Sequence, residues 1–256
     1  MLAGFSFDLT GRTALVTGAS SGTGRRFAEI LAASGARVVL AARRVALLER
    51  LRDEIEQRGG LALAVAMDAA DEASTIAAFD AAEAAFGPVD TVVANAGISL
   101  PGSSMGILAD HFDQTMAVNV RGAFLTAREG ARRMLKQAPG ADRGRIVLIS
   151  SITGHYPSAG VPYGASKAAV TQMGRALARE WAGKGINVNV IAPGYMLTEL
   201  TEPLWEIERG QKLLESFPRA RLMGVDALDP MLLYLCSDAS REVTGSVFTI
   251  DDGQTL

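Results

Sequence analysis

Residues Thr13–Gly24 read TALVTGASSGTG. A β-branched run, Thr13 to Thr17, feeds directly into a glycine-rich turn, and a helix-period stretch follows from Gly22 to Ser34. That order sets the carboxyl edge of a strand beside a helix N-terminus. Gly18 permits the tight turn, Gly22 lets backbone N–H groups approach a ligand, and Gly24 lets the helix pack against the strand. The N–H groups of the turn, those of Ser20, Ser21 and Thr23 among them, join the helix dipole in favouring a pyrophosphate. A purely structural turn is the alternative. The strand–turn–helix setting on the first strand favours dinucleotide binding.

Working outward, short β-branched runs recur at 37–41, 61–66, 89–94, 145–150, 186–191 and 246–250. Helix-period stretches lie between them at 45–58, 71–86, 110–136, 163–184 and 225–237. Runs such as RVVLAA and NVNVIA are apolar on both faces, as in strands covered by helices on both sides. The alternation predicts an α/β chain: one Rossmann domain over residues 1–256, a doubly wound, seven-stranded parallel sheet with helices on both faces. No stretch reads as an interdomain linker, and the longer loops are 138–144 and the segment after Pro193. Residues 195–218 break the pattern. They are rich in Glu, Leu and Met, contain Trp205, and are bounded by Pro193 and Pro218. They are expected to form one or two helices over the carboxyl edge of the sheet, as a substrate lid.

Composition narrows the function. Of 256 residues, 48% are hydrophobic and 21% charged, enough apolar side chains for an independent core. The net charge of -3 argues against nucleic acid as the main partner. A single cysteine, Cys236, excludes an internal disulfide framework, and two histidines, His111 and His155, make a metal site unexpected. No apolar run approaches the length of a membrane span, and the first residues do not read as a leader. The expectation is a soluble, cytoplasmic protein.

In a dinucleotide fold the end of the second strand reads the adenosine ribose. Here it reads VVLAARR: Ala42 stands where an acid would select NAD, and Arg43 and Arg44 follow. No carboxylate lies between Arg37 and Arg44 to repel a 2′-phosphate. This predicts NADP(H), with Arg43 as the main contact; the alternative is that both arginines are solvated charges at a helix start. Asp68 ends the third strand, either to bond the adenine amino group or to cap the next helix. Asn95, Ala96 and Gly97 follow the fourth strand. Gly97 lets the backbone pass close to a cofactor, and the Asn95 side chain can tie neighbouring loops together.

The strongest chemical signal is YGASK, Tyr163 to Lys167, which sets a tyrosine and a lysine on one helix face. Just before it, IVLISSITG delivers Ser150 and Ser151 to the same sheet edge. With TGASSGTG, NAG, VNVRGAF around Asn119, ISSITG, YGASK, and PG followed by Thr198, the chain resembles the classical short-chain dehydrogenases/reductases from about Leu9 to Gly253. The resemblance implies a tetrad. Tyr163 is the general acid in reduction and the base in oxidation, and Lys167 bonds the nicotinamide ribose. Ser151 polarises the substrate carbonyl, while Asn119 kinks its helix and holds a water linking Lys167 to solvent. A lysine charge about 4 Å away would supply roughly 4 kcal/mol at an effective dielectric near 20. That is about three pKa units on a tyrosine that otherwise titrates near 10. Ser150 and Ser151 point in opposite directions by strand alternation, and Ser151 matches the family pattern. Tyr156 has no lysine four residues on and reads as a pocket wall. Thr198, after Pro193 and Gly194, either bonds the carboxamide or caps a helix.

The expected substrate pocket comprises Leu100, His155, Tyr156, Val161, Tyr195, Met196, Leu197, Leu200, Leu204 and Trp205, an apolar and aromatic set without lysine or arginine. It predicts a neutral hydrophobic ketone or secondary alcohol, bulky ones included. An NAD-linked secondary alcohol dehydrogenase and a non-catalytic dinucleotide sensor are the competing readings; the intact Asn119, Ser151, Tyr163 and Lys167 set speaks against the sensor. The resemblance, the wide apolar faces of the helices at 110–136 and 163–184, and a final strand near a sheet edge point to a homotetramer. The family usually ends in VDGG, whereas this chain reads IDDGQTL. Asp252 replaces a glycine at a site expected to be structural or near a subunit interface.

Overall fold

The structure, a computed structural model, describes residues 7–137, 142, 144–157 and 160–256. Most of the predicted loop 138–144 therefore lies outside the described residues. Among those residues, seven strands form one parallel sheet: β1 (Thr13–Thr17), β2 (Arg37–Ala42), β3 (Leu61–Ala66), β4 (Thr91–Ala94), β5 (Gly144–Ile149), β6 (Ile186–Pro193) and β7 (Val247–Ile250). Their order is β3-β2-β1-β4-β5-β6-β7, with Val16 level with Leu40 on one side and Val93 on the other. The order reverses between β1 and β4. Right-handed crossovers leave a crevice there, at the carboxyl ends of the strands.

Strand alternation builds two cores. Ala14 and Val16 of β1 face α1 (Gly22–Ala33) and α2 (Val45–Gln57), meeting Phe27, Leu31, Leu48 and Leu51; α9 (Asp229–Cys236) joins them through Leu232 and Leu235. Leu15, between them in sequence, faces the other layer. That layer holds α3 (Glu72–Phe86), α5 (Ala123–Lys136) and α6 (Val161–Trp181), with Phe79, Ala127, Met134 and Val170 in its core. The doubly wound architecture is the one expected.

The predicted helix at 110–136 differs in detail, whereas the insertion at 195–218 forms helices as expected. The stretch 110–136 is not one α-helix. It divides into α4 (Ala109–Met116), a π-helical segment (Ala117–Gly122) and α5. The insertion at 195–218 forms α7 (Glu202–Trp205) and α8 (Glu208–Ser216). Asp252 adopts φ +53, a left-handed conformation easy for glycine, and its carboxylate accepts from Arg219 Nη1 and Arg221 Nε, both at 2.7 Å. A carboxylate at this position thus ties the segment after β7 to the segment after α8. Among the described residues no helix is long and apolar enough to cross a membrane.

Candidate active site

A cleft of about 1000 Å³ opens at the reversal point. At one end lie Arg43, Arg44 and Asp68; in the middle, Gly18 and Ser20–Thr23 with Asn95–Gly97; at the far end, Ser151, Tyr163 and Lys167. Residues of the segment after β6, Thr198 and Leu204 among them, also line it.

The turn is held by a small network. Thr17, the last residue of β1, accepts at Oγ1 from the backbone N–H groups of Asn95 and Ala96, each at 3.0 Å. Asn95 Nδ2 donates to the Thr17 carbonyl at 3.0 Å, and Asn95 Oδ1 accepts from Thr23 Oγ1 at 2.8 Å. Asn95 does tie the loops of β1 and β4 together, and Thr17, unremarked in the sequence, is its anchor. A Cβ on Gly24 would overlap the Gly18 carbonyl oxygen, so only glycine lets α1 start this close to β1. Gly18 at φ +70 and Gly22 at φ +54 supply the left-handed turns.

Asp68 does not cap α3. That cap is Asp71, whose Oδ2 accepts from Ser74 N at 2.9 Å. Asp68 Oδ1 instead accepts from Ala70 N at 3.0 Å, and the residue lines the cleft. Thr198 caps no helix either; its carbonyl accepts from Thr201 and Glu202 in a turn, and its side chain lies over Gly22.

At the reactive end, Ser150 and Ser151 diverge as alternation requires. The Ser150 hydroxyl is buried against α6, donating to the Lys167 carbonyl at 2.8 Å, whereas the Ser151 hydroxyl bonds that of Tyr163. Lys167 Nζ donates to the Ile149 carbonyl at 2.9 Å and lies 5.6 Å from the centre of the Tyr163 ring. Asn119 sits in the π segment, buried behind this group. Its Oδ1 accepts from Ile98 N at 2.8 Å, and its Nδ2 donates to Ile98 O and Ser166 Oγ, both at 2.9 Å. The extra residue in a π turn re-aims a side chain, here turning the Asn119 amide onto the loop after β4. What the geometry gives Asn119 is a clamp between that loop and α6.

The expected fall in the Tyr163 pKa is absent. Burial pushes the hydroxyl up to about 12, with the bond to Ser151 opposing in part. The lysine aims its ammonium at the Ile149 carbonyl, and the same burial draws Lys167 down to about 8. Tyr163 is therefore a protonated acid at neutral pH.

Lysine burial sets a pH dependence of stability. Below about pH 8 the folded chain bears the full cost of the buried ammonium, because folded and unfolded chains are both protonated. Between about 8 and 10.5 the folded chain releases its proton first, so this contribution rises with pH. The melting temperature of the unmodified protein should gain on that of Lys167→Met across this window. A constant difference between the two would show the ammonium to be solvated.

The cleft wall is less aromatic than the expected pocket. Leu100, Val161, Tyr195, Met196, Leu200 and Leu204 line the cleft; His155, Tyr156, Leu197 and Trp205 do not. His155 and Tyr156 follow a short 3₁₀ turn (Ile152–Gly154) out to solvent, and Leu197 is likewise exposed. Trp205 is buried behind Tyr195, edge-on with ring centres 5.4 Å apart. Nor is the wall free of cations: Arg209 and Leu213, one helical turn apart on α8, line it together with Ser103 and Ser104. Among the described residues no cluster of three or more histidine, cysteine or carboxylate side chains is placed to hold a metal.

Comparison with known proteins agrees with this architecture. The model of the short chain dehydrogenase family matches residues 12–209. The chain is 38% identical to galactitol 2-dehydrogenase (L-tagatose-forming) of Cereibacter sphaeroides, covering 98% of this chain and 97% of that protein. It is 35% identical to D-threitol dehydrogenase of Mycolicibacterium smegmatis, covering 98% and 96%. Among solved structures, a gluconate 5-dehydrogenase from Burkholderia cenocepacia J2315, in complex with NADP and tartrate, superposes with a TM-score of 0.91 at 33% identity, covering 98% of this chain and 97% of that one. Motif order, sheet topology and full-length similarity agree, and the chain is an oxidoreductase belonging to the short-chain dehydrogenase family.

Proposed function

We propose that the protein is an NADP(H)-dependent enzyme interconverting a ketone and a secondary alcohol, with Tyr163 as general acid and base. The observation that carries the reading is the convergence of Ser151, Tyr163 and Lys167 on one end of a cleft whose other end holds two arginines.

The cleft suits a nicotinamide dinucleotide. A Cβ on Gly97 would stand 3.3 Å from Lys167 Nζ and 3.5 Å from Asn119 Oδ1, so the glycine keeps that floor open. The turn Gly18–Gly24 and residues Asn95–Gly97 would hold the diphosphate and the adjoining riboses. Lys167, Pro193, Gly194 and Thr198 would hold the nicotinamide half. Asp68 and the arginines would hold the adenosine. The nicotinamide supplies or accepts the hydride. Tyr163, which burial keeps protonated, gives its proton to the carbonyl oxygen during reduction. The Ser151 hydroxyl shares the developing negative charge and fixes the carbonyl's orientation. Lys167, its ammonium 5.6 Å from the centre of the Tyr163 ring, would bond the nicotinamide ribose, and Asn119 positions the group by clamping the Ile98 loop to α6. In oxidation the same proton returns to Tyr163.

The segment 195–218 serves as the substrate lid of a single-domain, cytoplasmic protein. A homotetramer is supported by Phe112, Phe124 and Leu135, which remain 39%, 38% and 40% exposed along α4 and α5. The apolar wall of Leu100, Val161, Leu200 and Leu204 supports a neutral hydrophobic substrate. Arg209 and the Ser103–Ser104 pair favour a second reading, a polyol or sugar acid, in keeping with the names of the relatives.

One experiment tests both halves of the proposal. Turnover is followed with each coenzyme across polyols, sugar acids, and aliphatic, aryl and steroid-like ketones. NADP(H) should be favoured by at least about tenfold, the worth of one guanidinium–phosphate contact. Arg43→Ala should erode that preference selectively. Among the described residues, no other side chain bonds or pairs with Arg43, so its guanidinium is available to the cleft. Equal use of NADH by the unmodified protein would reject the coenzyme assignment.

A further inference from the structure

The adenosine end of the cleft is crossed by an ion pair between residues 155 apart in sequence. Arg44, just after β2, donates Nη1 to Glu199 Oε1 at 2.7 Å and Nη2 to Glu199 Oε2 at 3.0 Å. The same guanidinium donates Nε to Ser20 Oγ at 3.1 Å and Nη2 to Ser21 Oγ at 2.6 Å. Ser21 also bonds the Glu199 carboxylate, which these contacts hold down at about 2, so it is an anion at every working pH. All four residues line the cleft. The arrangement is an anion socket, a planar guanidinium flanked by two hydroxyls, and the anion in it is the protein's own. A phosphate monoester offers the same pair of coplanar acceptors with greater charge.

We propose that Glu199 is a specificity-determining residue that competes with the coenzyme's 2′-phosphate. Its carboxylate occupies the Arg44–Ser20–Ser21 socket that the phosphate of NADP would otherwise take. A nucleotide bearing a 2′-phosphate must displace Glu199, whereas one with a free 2′-hydroxyl leaves the pair intact. The chain's own acid therefore tempers a preference that its two arginines would otherwise make stronger. The inference rests on the assignment of this end of the cleft to the adenosine.

Isothermal titration of the full chain with adenosine 2′,5′-bisphosphate and with 5′-AMP tests it without turnover. Glu199→Gln keeps the shape and removes the charge. The bisphosphate should bind that variant about fivefold tighter, the upper range for one partly exposed ion pair, while 5′-AMP should change less than about twofold. Adding Arg44→Ala should abolish the gain. No gain in Glu199→Gln, or an equal gain for 5′-AMP, would overturn the proposal. The coenzyme assignment fails separately: if the unmodified protein binds both nucleotides alike but Glu199→Gln prefers the bisphosphate, competition stands and NADP preference falls. If the unmodified protein prefers the bisphosphate and Glu199→Gln changes nothing, the preference stands and the competition falls.

Discussion

Replacing Tyr163 by phenylalanine is expected to lower turnover at least about 100-fold, the low end of what a positioned general acid contributes. The change removes one oxygen and keeps the ring, so the packing of α6 on β5 and β6 should survive. Coenzyme affinity should stay within about twofold, because an uncharged hydroxyl adds little to a cleft of this size. Lys167 still reaches the Ile149 carbonyl without the hydroxyl. The comparison residue is Tyr156, which is 45% exposed and does not line the cleft. Its phenylalanine variant should turn over almost normally. Steady-state rates with the best substrate, together with coenzyme titration of both variants, check the assignment. Comparable losses in the two would reject Tyr163 as the proton donor.

Gly24→Ala should produce the largest loss of stability among changes at the glycine turn. The added carbon would overlap the Gly18 carbonyl and crowd Asn95 Nδ2. One obstacle is backbone, and the other is fixed by its bond to Thr17. No rotamer change relieves such an overlap, so α1 must move off β1. The expected cost is about 3 kcal/mol, the upper range for overpacking. For a chain of this length that lowers the melting temperature by roughly 6 to 12 °C. Coenzyme binding should weaken too, since the turn's N–H groups move with the helix. Gly22→Ala is the control. Its added carbon meets only the Thr198 side chain, at 3.7 Å and beyond, so the penalty is backbone strain at φ +54 of about 1 kcal/mol. Calorimetric melting of both variants decides. A Gly24→Ala melt no lower than that of Gly22→Ala would mean that the helix start tolerates a side chain.

How much of this was legible without coordinates follows from the range of the interactions involved. Strand and helix runs depend on periodicity over a few residues, so the doubly wound sheet could be read from the order of its segments. The glycine turn, the Ser150 and Ser151 alternation, and the placement of Tyr163 and Lys167 on one helix face are equally local. Boundaries moved by a residue or two where neighbouring contacts decide them, as at β4, which starts at Thr91 rather than residue 89. Which side chains face the cleft depends on longer-range packing. Trp205 and Tyr195 are both aromatic and ten residues apart, yet one is buried behind the other.

The chain's linear pattern determined the layers, the sheet edge that carries the cleft, and the residue types delivered to it. Packing between distant segments decided the rest. In the π turn the Asn119 amide meets Ile98 and Ser166 across the fold, a partnership that helical periodicity does not encode. The fall expected for Tyr163 did not follow from a lysine four residues on, because desolvation depends on everything packed around both groups. The carboxylate that pairs with Arg44 at the end of β2 comes from Glu199, 155 residues further on. A charge acts through space, and only the folded chain determines which charges are near one another.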